Sequence, residues 1–161
     1  MELNILRADP AGNITVFVLD PVEKAQRAAI AEKIMAIPAL KAEQVGYACA
    51  AEDDVDGHME MMGGEFCGNA TRAYGMYIAQ QKGGLSAVKL RVSGCDHAVT
   101  AQVDLKSGTA RAEMPCPRSV RRAAAGGREG TLVDLGGIAH FVVEGTAPSE
   151  AFFHAAEGVF A

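Results

Sequence analysis

A glycine-flanked helix of small residues limits the fold of this chain more than any other feature of its sequence. Residues 63–66 bend the chain into a helix predicted from residue 67 to about residue 81, and Gly83-Gly84 ends it. Alanine, glycine and threonine along this helix allow neighbouring strands to approach its backbone closely. The sequence therefore predicts a central helix enclosed by β-sheet.

Short apolar runs and alternating patterns predict that strands surround this helix. The predicted strands of this region cover residues 3–6, 14–19, 44–51, 58–62, 88–92, 98–105 and 109–114. Another helix is predicted between the second and third strands, with Asp20 as its N-cap, Pro21 as its first residue and Pro38 at its end. The expected fold class is α+β, with far more strands than helices.

The composition of the chain changes after these strands. Residues 1–117 are predicted to form an N-terminal domain, and residues 118–130, which are rich in Arg, Ala and Gly without periodicity, are predicted to be a linker. Residues 131–161 are predicted to begin a second, truncated domain of two strands and a helix capped by Ser149.

Charge and composition argue against several classes of protein. The formal net charge of -5 is mild, and one short arginine cluster within residues 118–128 is a poor nucleic-acid surface. No signal peptide or membrane span is visible. The four cysteines form no Cys-x-x-Cys pair and no disulfide framework, so a cytoplasmic protein with free thiols is expected. Cys49 and Cys116 are interpreted as core or linker thiols, and Cys95-Asp96-His97 as a turn rather than a metal site.

Cys67 stands where the central helix begins, and this position favours chemistry. Unpaired backbone N–H groups and the helix dipole stabilise an anion at a helix N-terminus. The Cys67 thiol is therefore expected to lose its proton more readily than an ordinary thiol and to act as a base. The N–H groups of Gly68, Asn69 and Ala70 are expected to hold a substrate carboxylate beside it, and Arg72 to pair with a carboxylate.

Such a pair of functions suits proton transfer at the α-carbon of an amino acid. Removing the α-proton places negative charge on the carboxylate, so preorganised donors lower the barrier. Inversion also needs a second acid on the opposite face of the substrate. From these residues alone, Cys67 is either a catalytic base or a small buried hydrophobic residue.

The run of residues 67–72, Cys-Gly-Asn-Ala-Thr-Arg, resembles the signature of the diaminopimelate epimerase family of racemases and epimerases, which use no pyridoxal phosphate. Agreement extends to Gly12-Asn13, to residues 44–47, to residues 112–115 and to residues 135–143. The resemblance implies two similar barrels, each surrounding a helix, with one cysteine from each helix acting on the substrate between them. It also implies that Asn13, His140 and the helix-start residues contact substrate, and that neither cofactor nor metal is needed.

On that template the chain is the first domain and the opening of the second, so an isomerase in amino-acid biosynthesis is expected. The chain alone is expected to be inactive, because no second cysteine motif is present. Residues 61–64, Met-Met-Gly-Gly, lack an Asn that contacts diaminopimelate in the epimerase proper. The run of residues 63–70 is closer to family members that act on other amino acids, such as the histidine racemases of metallophore synthesis. The expected partner is a small amino acid, with no nucleic acid or membrane, and a homodimer is left open.

Two alternatives remain at this point. One is an isomerase of the phenazine-biosynthesis type on the same fold, although such enzymes use a carboxylate base where this chain has Cys67. The other is a catalytically incomplete binding or structural module, in which exposed apolar edges of a truncated domain favour self-association.

Overall fold

The computed structural model describes residues 2–52, 54–136, 138–145, 147 and 149–160. The chain divides into two compact units, Met1–Met114 and Pro115–Ala161. The first unit holds one sheet whose seven strands are hydrogen-bonded in chain order. These strands are β1 (Ile5–Ala8), β2 (Thr15–Val18), β3 (Gln44–Cys49), β4 (Gly57–Met61), β5 (Ala87–Val92), β6 (Val99–Asp104) and β7 (Thr109–Ala112).

Two helices connect the parallel strand pairs of this sheet. α1 (Lys24–Met35) joins β2 to β3, and α2 (Gly68–Gln81) joins β4 to β5. These two pairs are parallel, whereas the other neighbours are antiparallel. Since β3 and β4 run in opposite directions, the usual right-handed crossover places the two helices on opposite faces of the sheet.

The buried side chains confirm this arrangement. On one face, Phe17 and Met59 pack in a cluster with Tyr74 of α2. On the other face, Val45 packs with Ile30 of α1. Alternate residues of each strand therefore serve different cores, as the two-residue period of a strand requires.

The predicted small-residue helix enclosed by sheet is confirmed. α2 contacts β4, β5, β6 and β7. The sheet curls around this helix as a half-barrel. A side chain at Gly75 would place its Cβ 2.6 Å from the Cβ of Ala101 on β6. Only a residue without a side chain allows the helix and the strand to lie this close together. The predicted α+β class, with more strands than helices, is also confirmed.

The predicted start of α1 is wrong. Asp20 does not cap the helix; its carboxylate accepts hydrogen bonds from the backbone N–H and the side-chain amide of Asn4, at 2.5 and 3.0 Å. These bonds, the side-chain one first, lower the pKa of Asp20. The helix begins at Lys24 after Glu23, which makes no side-chain cap. The Asp20 carboxylate therefore binds Asn4, which is distant in sequence, instead of the helix N-terminus that the local pattern predicts.

The second unit contains a three-stranded antiparallel sheet in the order β10-β9-β8. Its elements are β8 (Ser119–Ala125), β9 (Arg128–Asp134), β10 (Ala139–Val142), α3 (Glu150–Ala156) and a 3₁₀ turn at Glu157–Phe160. The prediction of an irregular linker over residues 118–130 is wrong, because these residues form β8 and the beginning of β9. The predicted cap is confirmed: the Ser149 hydroxyl accepts from the Phe152 N–H at 3.2 Å.

Among the described helices, none combines the length and the apolar character that crossing a bilayer requires.

Candidate active site

Cys67 is the N-cap of α2, and its side chain belongs to the cap. Its backbone is extended, and its sulfur accepts a hydrogen bond from the backbone N–H of Ala70 at 3.4 Å. Its carbonyl oxygen accepts from the N–H and the hydroxyl of Thr71, at 2.9 and 2.8 Å. Thr71 is fully buried. The half-buried sulfur is thus fixed at the helix start, as the sequence predicts.

A second donor reaches the sulfur from the sheet. The side-chain amide nitrogen of Gln44, the first residue of β3, lies 3.3 Å from Cys67 Sγ and 2.7 Å from Thr15 Oγ1. Thr15 is fully buried and is the register partner of Gln44 on β2. Sequence reasoning missed Gln44 and Thr15, because only the parallel register of β2 and β3 brings them to the helix start.

The backbone N–H groups in the first turn of α2 differ in their hydrogen bonding. The Ala70 N–H, expected to bind a substrate carboxylate, is directed at Cys67 Sγ instead, because a capping side chain accepts from the third helical residue. Within the described residues, the N–H groups of Gly68 and Asn69 donate to no protein acceptor. These two amides fit the anion-binding role predicted for them.

Gly68 faces a side chain rather than open space. A Cβ at this position would lie 3.0 Å from Met114 Sδ, and Met114 itself is 54% exposed. Met114 therefore packs a flexible, partly solvated thioether beside the helix start, on the side where Gly68 carries no side chain. Sequence analysis singled out residues 112–115 only for their agreement with the family, so it did not predict that Met114 contacts the helix start.

Comparison with known proteins decides the family. The family described as the histidine racemase CntK N-terminal domain matches residues 2–160. The chain belongs to this family. A protein named histidine racemase in Fusobacterium nucleatum is 32% identical in an alignment of 149 residues that covers 87% of this chain and 54% of that protein.

Further relatives agree with this assignment. The histidine racemase of another Fusobacterium nucleatum strain is 31% identical over 149 residues, and that of Staphylococcus aureus is 35% identical over 99 residues. The latter match covers 59% of this chain and 36% of that protein. The chain spans about half the length of the Fusobacterium relatives it matches. The predicted membership of a racemase family, and the likeness to histidine racemases within it, are confirmed.

The other residues predicted to contact substrate or a carboxylate are Asn13, His140 and Arg72, which lie on different elements of the structure. Asn13 is partly buried and precedes β2 by two residues, at the end of the sheet that carries Thr15. His140 is exposed on β10 of the second unit, where Val133 is its register partner. Arg72 pairs with no carboxylate among the residues that the structure describes; its guanidinium donates to the carbonyl oxygen of Pro10 at 3.4 Å.

The remaining cysteines of the first unit differ from Cys67 in their surroundings. Burial raises the pKa of the Cys49 thiol, while the Arg27 guanidinium opposes this shift. Burial also raises the pKa of Cys95, and the neighbouring Asp96 charge adds to the effect. Cys95 lies in the turn between β5 and β6, as predicted.

Proposed function

We propose that this chain supplies one half of the active site of a cofactor-independent amino-acid racemase, and that its substrate is histidine. The observation that carries the proposal is the Cys67 sulfur at the start of α2, held by the N–H of Ala70 and the side-chain amide of Gln44. The names of the relatives support histidine as the substrate.

In the proposed reaction Cys67 is the base on one face of the substrate. Its thiolate takes the α-proton and becomes a thiol, while the electron pair of the broken C–H bond delocalises onto the carboxylate. The N–H groups of Gly68 and Asn69 stabilise this charge because they are fixed before the reaction begins. Asn13 and His140 are proposed to orient the substrate.

The second acid is proposed to come from the part of the protein that this chain does not include. Return of a proton to the opposite face completes the inversion, and the two groups exchange roles in the reverse direction. The relatives are about twice as long as the matched segment, which supports a second half-site there. We accordingly propose that the chain alone is inactive. Its four free cysteines support a reducing, cytoplasmic location.

The test follows the α-hydrogen of histidine in deuterated water with the full-length protein. We expect L-histidine to gain deuterium at the α-carbon as it converts to the D-enantiomer, measured by proton NMR and chiral chromatography. Cys67→Ala should abolish both processes, because Cys67 is the proton acceptor proposed for this face of the substrate. Cys95→Ser is the matched control, since it removes another partly buried thiol of the same unit. Undiminished exchange in the Cys67→Ala variant would contradict the proposal.

A further inference from the structure

We propose that Cys49, His58 and Glu60 form a binding site for a divalent zinc-type cation, separate from Cys67. Cys49 on β3 and His58 on β4 are register partners, and Glu60 follows His58 on the same face of β4. One ligand atom from each residue lies within 4.8 Å of the others. This site does not depend on the proposed racemase function.

The site lies on the face of the sheet that carries α1. Cys49 shares this face with Val45 and Tyr47, which pack in the cluster with α1. Gln44, at the other end of β3, points to the opposite face and contacts Cys67. Five residues of strand separate the two by about 17 Å.

The histidine is oriented as a ligand requires. His58 Nδ1 lies 3.2 Å from the carbonyl oxygen of Ala50. Because a carbonyl oxygen only accepts, Nδ1 carries the hydrogen and the lone pair of the neutral ring lies on Nε2. That atom is 3.8 Å from Glu60 Oε1. Metal-binding histidines commonly have their second nitrogen fixed by such a carbonyl.

Arg27 of α1 supplies the outer support for the two anionic ligands. Its guanidinium binds Glu60 Oε2, which leaves Oε1 directed towards His58. The same guanidinium lies 3.4 Å from Cys49 Sγ, where it stabilises a thiolate. With a dication, one thiolate, one carboxylate and Arg27, the cluster carries a net charge of about +1, so no excess of negative charge is buried.

The donor set selects the class of metal. One sulfur, one imidazole nitrogen and one carboxylate oxygen suit zinc, whereas calcium and magnesium prefer oxygen alone. Tetrahedral zinc with bonds of about 2.0–2.3 Å holds its ligands about 3.4 Å apart, so the side chains need to move by about 1 Å. The His58 and Glu60 side chains are 19% and 31% exposed, which leaves solvent access for the ion and for water as the fourth ligand.

The experiment titrates the reduced full chain with Co²⁺, which reports thiolate coordination by charge-transfer absorption and tetrahedral geometry by intense visible bands. We expect one strongly absorbing site, which Zn²⁺ then displaces. Cys49→Ser should abolish the charge-transfer band. His58→Gln should weaken binding at least tenfold, since loss of an outer contact alone costs about 10–100-fold. Cys67→Ser and Cys95→Ser are the matched controls and should retain the full signal.

A second measurement on the unaltered chain does not depend on how the variants fold. Zn²⁺ should slow alkylation of Cys49 by iodoacetamide, mapped by mass spectrometry, and leave the rate at Cys95 unchanged. The proposal is overturned if stoichiometric Co²⁺ gives no charge-transfer band, if Cys49→Ser keeps the band, or if Zn²⁺ fails to protect Cys49. In those cases Arg27 and Glu60 form a structural ion pair beside an unligated thiol.

Discussion

Gln44→Leu tests whether the sheet contributes to the reactivity of Cys67. The substitution keeps much of the side-chain volume but removes the amide that lies 3.3 Å from Cys67 Sγ. A hydrogen bond to a charged group contributes about 1.5–3 kcal/mol. Its loss therefore removes from the Cys67 thiolate, the form that reacts with alkylating agents, a stabilisation that corresponds to a factor of about 10–150.

The rate of alkylation is expected to fall by less than this factor. A more basic thiolate is also more nucleophilic, with a Brønsted coefficient of about 0.4–0.5, which cancels nearly half of the logarithmic change. We therefore expect alkylation of Cys67 at neutral pH to slow by about 4- to 20-fold in Gln44→Leu.

The assay is timed alkylation by iodoacetamide, with each cysteine quantified by mass spectrometry. Cys95 serves as the internal reference, and the exposed Gln26 on α1 supplies the matched variant Gln26→Leu. Thr15→Val should give a smaller effect, because it removes the hydroxyl that positions the Gln44 amide but keeps the amide. Alkylation of Cys67 at the unaltered rate in Gln44→Leu would refute the reasoning.

Two further predictions concern the stability of the first unit. Gly75→Val should lower the free energy of unfolding, measured in urea, by about 1–3 kcal/mol, since its Cβ would lie 2.6 Å from that of Ala101. The control Gln80→Val, at an exposed position of the same helix, should lower the free energy of unfolding much less. The backbone N–H of Lys89 donates to the Asp56 carboxylate and lowers its pKa. This carboxylate therefore stabilises the fold above about pH 4, the pKa of Asp in an unfolded chain, and its contribution is lost as the pH falls through the lowered pKa of the folded state. The stability difference between the unaltered chain and Asp56→Asn should accordingly shrink between pH 7 and pH 3, and a constant difference would contradict it.

The sequence predicts elements whose signals are local. α2 is found where glycines frame a run of small residues, and α3 where Ser149 precedes the helix. In both helices the capping side chain accepts from a backbone N–H three residues later, an interaction within one turn of chain. A short sequence window contains all that such a contact needs.

Features that depend on strand register were not predictable in this way. Gln44 reaches Cys67 across 23 positions of sequence, and Cys49 meets His58 only through the antiparallel pairing of β3 with β4. Neither residue type marks a site by itself. The contacts require knowledge of which strands pair and at which offset.

The missed β8–β9 hairpin has a different cause. Most residues of β8 are exposed, so the strand lacks the apolar alternation that identifies a half-buried strand. A usable signal was present in Gly126-Gly127, since both residues have positive φ and form a two-residue connection between paired strands. Paired glycines between charged and alanine-rich runs therefore indicate a hairpin even where the flanking strands lack periodicity.

The surroundings of the two thiols on β3 and α2 differ in a way that bears on their proposed roles. A group that removes a proton from an α-carbon must remain strongly basic, and a neighbouring cation would stabilise its anion at the expense of basicity. The donors that reach Cys67 Sγ, the Ala70 N–H and the Gln44 amide, are both neutral, so they hold the sulfur in place without setting a positive charge beside it. Cys49 instead lies beside the Arg27 guanidinium, whose positive charge opposes the effect of burial on the Cys49 pKa and suits the proposed metal-binding thiolate. In the proposed roles, the sheet separates a basic sulfur on one face from a metal-binding sulfur on the other.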